Sequence, residues 1–109
     1  MVEAAPLATL GGFRDTIMRA RDPLKKPFIT VEIPGSYYRS GIMVQSFRAT
    51  FIFGVDSLVT TSSSNQFTPR QVEIVQEQNA DFKIYFDKIR ATGRDGRMRN
   101  LSPFWIRVE

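Results

Sequence analysis

The sequence predicts a mainly β fold: a small antiparallel sandwich or barrel of five to six strands with one short N-terminal helix. Apolar and polar residues alternate in several short segments separated by turn residues, and helical spacing occurs only near the start of the chain. A length of 109 residues fits one domain. We therefore expect a single β-rich domain over residues 1–109, with an N-terminal arm or helix at 1–26, a β core at 27–109 and a basic loop at 88–102.

The predicted helix covers residues 12–21. Its apolar residues Phe13, Ile17 and Ala20 recur at the spacing that puts them on one helix face. Asp22 precedes Pro23, and a residue before proline disfavours the α conformation. We therefore expect the helix to end there.

The clearest predicted strand covers residues 45–53, where Phe47, Ala49 and Phe51 alternate with polar residues. Pro27 and Pro34 bracket another alternating segment, which predicts an edge strand. The alternating segments besides 45–53 predict strands over residues 28–33, 58–61, 72–77, 82–87 and 104–108. The phenylalanines on the apolar sides of these strands predict the core: Phe47, Phe51, Phe53, Phe82, Phe86 and Phe104.

The composition argues against most catalytic chemistry. The chain has no cysteine and no histidine, which excludes a disulfide framework, thiolate chemistry and the commonest general base and metal ligand. Glu73 and Glu77 share one predicted strand face, but about 13 Å of strand would separate them, more than a glycosidase pair uses. We predict that the protein is not an enzyme and holds no metal or cofactor.

Positive charge is concentrated in one segment. Residues 88–99 contain five basic side chains and one acidic one, a surplus equal to the net charge of +4 of the entire chain. Asp95 and Gly96 form a strong turn pair, and Gly93 precedes them. The segment is therefore predicted to be an extended hairpin or a protruding loop on an electrically balanced body.

Three interpretations of this basic loop stay open. It could bind the phosphates of a nucleic acid while Tyr85 and other aromatic residues stack on bases, it could contact an acidic neighbouring subunit, or it could be a solvated loop that aids solubility. Tyr37, Tyr38 and Arg39 lie at a predicted turn, and Trp105 lies opposite the apolar side of its strand. The candidate residues for binding a partner or nucleic acid are Lys88, Arg90, Arg94, Arg97, Arg99, Tyr37, Tyr38, Arg39 and Trp105.

These features predict a non-enzymatic structural subunit of a larger protein assembly, for which a component of a virus or phage particle is one candidate. Its partners would be neighbouring protein subunits in a homo- or hetero-oligomer, contacted through the N-terminal region and the arginine-rich loop. The alternative is a β-barrel protein that binds single-stranded nucleic acid. No membrane contact and no small-molecule substrate are expected.

The first ten residues do not resemble a secretory signal peptide. They include Glu3, lack a basic segment, and have their apolar run interrupted by Pro6 and Thr9. We therefore expect a cytoplasmic origin, with a virion as the alternative destination.

Overall fold

The structure, a computed structural model, describes residues 6–33, 41–78, 80–93 and 95–109. This part of the chain is mainly β and contains one α-helix, α1, together with a short 3-10 turn at Asp22–Leu24. The bounds of the elements are β1 (Leu7–Leu10), β2 (Thr16–Met18), β3 (Ile29–Glu32), β4 (Met43–Phe53), β5 (Asp56–Ser62), α1 (Pro69–Gln78), β6 (Phe82–Thr92), β7 (Met98–Leu101) and β8 (Phe104–Val108).

The strands form two open sheets. The larger sheet has the order β2-β8-β6-β4-β5, with β7 beside the far half of β6, and the smaller sheet pairs β1 with β3. All of these pairs are antiparallel except β2 with β8, which is parallel. The prediction of a mainly β protein is confirmed, but the helix that the structure describes is not the N-terminal one. The larger sheet is mixed and not purely antiparallel, because the N-terminal segment adds to it as a strand.

The predicted N-terminal helix over residues 12–21 is wrong. That segment contains β2, and left-handed backbone conformations interrupt it: φ is +100° at Gly12, +49° at Asp15 and +68° at Arg21. A right-handed helix cannot continue through such residues. The spacing of Phe13 and Ile17 therefore reflects two exposed side chains and not one helix face.

The predicted strand over residues 72–77 is also wrong, because this segment belongs to α1. The helix begins with a capping box: the Thr68 backbone N–H donates to Gln71 Oε1 at 2.9 Å, and the Gln71 N–H donates to Thr68 Oγ1 at 3.2 Å. Pro69 occupies the first helical position, where its missing N–H costs nothing. Gln71, Ile74 and Val75 are buried, which is the spacing of one helix face.

The strands predicted elsewhere are present. Residues 45–53 lie in β4, 58–61 in β5, 82–87 in β6 and 104–108 in β8, and residues 28–33 include the edge strand β3. β6 is longer than predicted and runs to Thr92. Two register shifts against β4 accompany this length, and Lys88 has a φ of +47° at the point where β6 has an extra residue.

The core lies on one side of the larger sheet, called here the inner face. Phe47, Phe67, Phe86 and Phe104 form a continuous row of ring contacts, in which the centroids of Phe86 and Phe104 are 4.6 Å apart. Buried residues of β1, β3 and α1 complete the same cluster. The inner face is therefore covered, and the side chains on the opposite side of the sheet point away from this core.

Candidate functional site

The candidate site is the opposite side of the larger sheet, called here the outer face. The strand registers give its side chains, because residues that alternate with the buried ones point to this side. The outer face consists of Ile17, Arg48, Thr50, Ile52, Ser57, Val59, Thr61, Lys83, Tyr85, Asp87, Trp105 and Arg107.

Two aromatic side chains lie side by side at the centre of this face. Trp105 of β8 is directly opposite Tyr85 of β6, and both are half-buried. Lys83 Nζ is 5.3 Å from the centre of the Trp105 ring, within the range of a cation–π contact. The prediction that Trp105 lies opposite the apolar side of its strand is confirmed, since its neighbours Phe104 and Ile106 are buried.

Exposed aliphatic side chains extend the aromatic pair towards both edges of the sheet. Ile52 and Val59 are 37% and 57% exposed on the β4–β5 side, and Ile17 is 57% exposed on β2. Such side chains gain free energy when a partner removes them from water. The outer face therefore offers apolar contact area on each side of Tyr85 and Trp105.

Ion pairs neutralise two of the cations on the outer face. Arg48 makes a bidentate contact with Asp87, in which its Nε donates to Oδ1 at 2.7 Å and its Nη2 donates to Oδ2. These hydrogen bonds from the guanidinium raise the pKa of Arg48 above its ordinary value. At the end of β8, Arg107 Nε donates to Glu109 Oε1 at 3.1 Å.

The basic segment predicted from the sequence is a hairpin, called here the basic hairpin, formed by the end of β6, β7 and the loop between them. Lys88, Arg90 and Arg97 are exposed, and none of them forms an ion pair with another described residue. Arg90 pairs in register with Asn100 of β7 and Ser46 of β4. Because Arg90 alternates with the buried Ile89 and Ala91, it points away from the core, and the hairpin extends the outer face with unneutralised positive charge.

Arg99 is directed back into the hairpin. Its Nη2 donates to Asp95 Oδ2 at 3.0 Å, and the backbone N–H of Arg97 donates to Asp95 Oδ1 at 3.0 Å. The hydrogen bond from the Arg97 backbone, followed by that from the Arg99 side chain, lowers the pKa of Asp95. The Asp95 carboxylate thus organises the turn, and Arg99 contributes less free charge than its hairpin neighbours.

Four of the predicted binding residues, Tyr37, Tyr38, Arg39 and Arg94, lie outside the described residues. The structure brings Trp105 together with Lys83, which was not among the residues predicted to bind a partner. Arg48 and Arg107 were missed as well. Their signal was available, since each alternates with apolar residues on a predicted strand and must share a face with Tyr85 or Trp105.

The carboxylates considered for catalysis are arranged differently from the prediction. Glu73 and Glu77 lie one turn apart on α1 and not about 13 Å apart along a strand, and Glu73 accepts a 2.9 Å hydrogen bond from Arg70. In the ranges that the structure describes, no group of three or more acidic residues could hold a metal ion. Nor does the described part of the chain include a helix with the length and apolar character needed to cross a membrane.

Comparison with protein-family models and with curated proteins found no match to this chain.

Proposed function

We propose that this protein is a non-enzymatic subunit of a larger protein assembly, and that its outer face and basic hairpin bind an acidic surface of a neighbouring subunit. In this proposal the two sheets and α1 act as a sandwich-like scaffold. The observation that carries it is the register of β8 with β6, which aligns Trp105 with Tyr85 on a sheet face that no described element covers. A virus or phage particle is one candidate for this assembly.

The composition of the outer face supports a protein partner. Tryptophan, tyrosine and arginine are the residues most enriched at the centres of protein interfaces, and here Trp105 and Tyr85 lie between Arg107 and Arg48. The exposed Ile52 and Val59 would add apolar area to the same contact. Because strands hold these side chains in place, little conformational entropy is lost when a partner binds.

The charge of the hairpin indicates the chemistry of that partner. Lys88, Arg90 and Arg97 are exposed without an ion pair among the described residues, so an acidic partner would gain electrostatic attraction and a faster encounter. Arg48 and Arg107 already have carboxylate partners within this chain. The attraction would therefore be concentrated at the basic hairpin.

The test compares two substitutions that each replace an exposed arginine by glutamate and so change the net charge by the same amount. Arg90→Glu reverses a charge on the basic hairpin, whereas Arg70→Glu reverses the charge of an exposed arginine on α1, away from the outer face. Tagged protein is isolated from its source cells with mild cross-linking, and its complexes are measured by size-exclusion chromatography with light scattering. We expect Arg90→Glu to reduce recovery of the complex about tenfold, which corresponds to ~1.4 kcal/mol, and Arg70→Glu to leave it unchanged.

Equal recovery of the complex with both variants would count against this surface. A wild-type protein that remains monomeric under all cross-linking and salt conditions would count against the assembly itself. Circular dichroism of each variant checks that the fold is intact, so that a loss of the complex is attributed to the surface.

Single-stranded nucleic acid is a second candidate ligand for the same face. The specific observation in its favour is the pair of half-buried aromatic rings, Tyr85 and Trp105, next to Lys83 and on the same strand as Arg90. Bases stack on such rings while cations bind the phosphates. Against it, Lys83 already lies over the Trp105 ring, and a stacked base would have to displace it.

The nucleic-acid function is tested by oligonucleotide binding and its salt dependence. Binding to a labelled oligothymidine should weaken with a slope of about −0.7 in log K against log salt for each phosphate neutralised, and stacking should quench the fluorescence of the single tryptophan. Arg90→Glu would weaken this binding and Arg70→Glu would not. Absence of binding at low salt, or a flat salt dependence, would exclude the nucleic-acid function.

A further inference from the structure

A pocket of about 730 Å³ lies beside β2, away from the basic hairpin. Its volume is within the range of sites that bind ligands, roughly 300–1,000 Å³. All three residues of β2 line it, followed by Arg19 just after the strand. Successive side chains of a strand point to opposite faces, so a pocket that touches all three strand residues runs along the edge of β2 and not over one face.

β2 is an edge strand of the larger sheet. It pairs with β8 on one side, and no described residue pairs with its other edge. The unpaired N–H and C=O groups of such an edge can form a ladder with another extended chain. The shape of the pocket therefore favours a peptide in the β conformation as its occupant.

The walls of the pocket are largely apolar. Leu10 and Met18 are buried, whereas Phe13 and Ile17 are 56% and 57% exposed. An added strand would present alternate side chains to these walls, and an apolar side chain between Phe13 and Ile17 would remove both from water.

The charges around the pocket favour an acidic peptide. Asp22 accepts from Lys25 Nζ at 3.0 Å and from the Arg19 backbone N–H at 3.1 Å, and Glu109 is bound to Arg107. Both acidic residues of the lining are thus already paired. Within the described residues, the Arg19 and Lys26 side chains have no ion pair, and they remain to attract a carboxylate.

We infer that this groove is a peptide-binding site, in which an extended acidic segment of a partner protein adds to β2 as a further strand. One apolar side chain of the segment packs between Phe13 and Ile17, and an aspartate or glutamate lies against Lys26 or Arg19. The inference goes beyond the proposed function: the groove shares Ile17 with the outer face, but it lies at the opposite edge of the sheet from β5 and does not involve the basic hairpin.

The experiment is a titration of ¹⁵N-labelled protein, followed by the amide resonances, with capped pentapeptides that alternate glutamate with valine, leucine or phenylalanine. Matched peptides carry lysine in place of glutamate. We expect saturable shifts at Thr16 to Met18 with the acidic peptides, and affinity at least about tenfold lower for the lysine peptides, by electrostatic complementarity. Phe13→Ser and Lys26→Glu should each weaken binding of the acidic peptides severalfold.

Lys88→Glu is the matched control for Lys26→Glu, since it reverses the charge of an exposed lysine on the basic hairpin. It should leave peptide affinity unchanged while weakening assembly, so this site and the proposed function can fail separately. The inference is overturned if none of the peptides shifts Thr16 to Met18 at millimolar concentration, if the shifts fall on β5 instead, or if acidic and lysine peptides bind equally well.

Discussion

Gln71 of α1 donates a 2.9 Å hydrogen bond from its side-chain Nε2 to Oγ1 of Thr60 on β5. The Thr60 hydroxyl in turn donates to the carbonyl oxygen of Ala49 on β4, at 2.8 Å. Gln71 is fully buried, and its Oε1 caps the helix through the Thr68 N–H. One polar side chain therefore fixes both the start of α1 and its position against the edge of the larger sheet.

Replacing Gln71 by alanine should lower the free energy of unfolding by about 2 kcal/mol. The substitution leaves the Thr68 N–H without its acceptor and removes the buried donor to Thr60 Oγ1. Loss of a helix cap costs roughly 1 kcal/mol and loss of a buried hydrogen bond about 1 kcal/mol. Urea unfolding followed by circular dichroism measures the change. Gln76→Ala, at an exposed position of the same helix, is the control and should change stability by less than about 0.5 kcal/mol. Equal effects of the two substitutions would contradict a structural role for the buried amide.

Gly11 and Gly54 form a second matched pair. Both have left-handed backbone conformations, with φ of +57° and +63°. A Cβ at Gly11 would lie 2.6 Å from the Cβ of Lys26, whereas a Cβ at Gly54 would meet no atom within 4 Å. Gly54→Ala should cost about 1 kcal/mol from conformation alone, and Gly11→Ala about 2–3 kcal/mol because a collision is added.

Thermal and urea unfolding of the two glycine variants provide the measurement. Their difference isolates the close contact between Gly11 and Lys26, which holds the segment before β2 against the residues after the 3-10 turn. A Gly54→Ala cost equal to or larger than that of Gly11→Ala would show that this contact yields without strain.

Phe86 is the central ring of the core row. It contacts Phe47, Phe67 and Phe104 and is fully buried. Phe86→Leu should lower the free energy of unfolding by about 1–3 kcal/mol, because the ring contacts are lost and a smaller side chain fills the site incompletely. Phe13→Leu, at an exposed phenylalanine, should change it by less than about 0.5 kcal/mol, as measured by urea unfolding.

The low pKa of Asp95 predicts a pH dependence of the basic hairpin. Since the folded-state pKa lies below that of the unfolded chain, the unfolded state binds more protons in acid. The stabilising contribution of Asp95 is therefore complete above the ordinary aspartate pKa of about 3.9 and is lost as the pH falls through the lower folded value. The backbone amide resonance of Arg97, followed between pH 7 and pH 2, should report this titration.

Two variants separate the causes of the low pKa. Asp95→Asn should abolish the titration at the Arg97 amide. Arg99→Ala should raise the Asp95 pKa only in part, because the backbone hydrogen bond from Arg97 is the largest cause and remains. A midpoint at or above the ordinary aspartate pKa in the wild-type protein would contradict the hydrogen bonding described for this turn.

The periodicity of apolar residues was sufficient to predict a strand and its buried face where one side of that strand packs into the core. Phe47, Ala49 and Phe51 repeat at every second position, and only an extended chain can bury all of them, so β4 could be predicted along with its inner face. The hairpin character of the basic segment could be predicted from Asp95 and Gly96 for a similar reason, since turn residues act locally.

Residues 72–77 show where this reasoning failed. The alternation of Val72, Ile74 and Gln76 resembles a strand, but the capping box at Thr68 and Gln71 was the stronger local signal and specified a helix. This capping box can be read from the sequence, since Thr68 and Gln71 come just before the segment that was predicted to be a strand.

The sequence by itself determined the mainly β character, most of the strands and the location of the surplus positive charge, because each depends on residues close together in the chain. Five of the six predicted core phenylalanines are buried; Phe53 is only partly buried, and the buried Phe67 was not predicted because it lies outside the alternating segments. Only the tertiary structure decided that β2 joins β8 in parallel, that Trp105 lies beside Tyr85 and Lys83, and that a pocket opens along β2. Strand order and register depend on contacts between segments far apart in sequence, and the periodicity of one strand carries no information about which neighbour it will pair with.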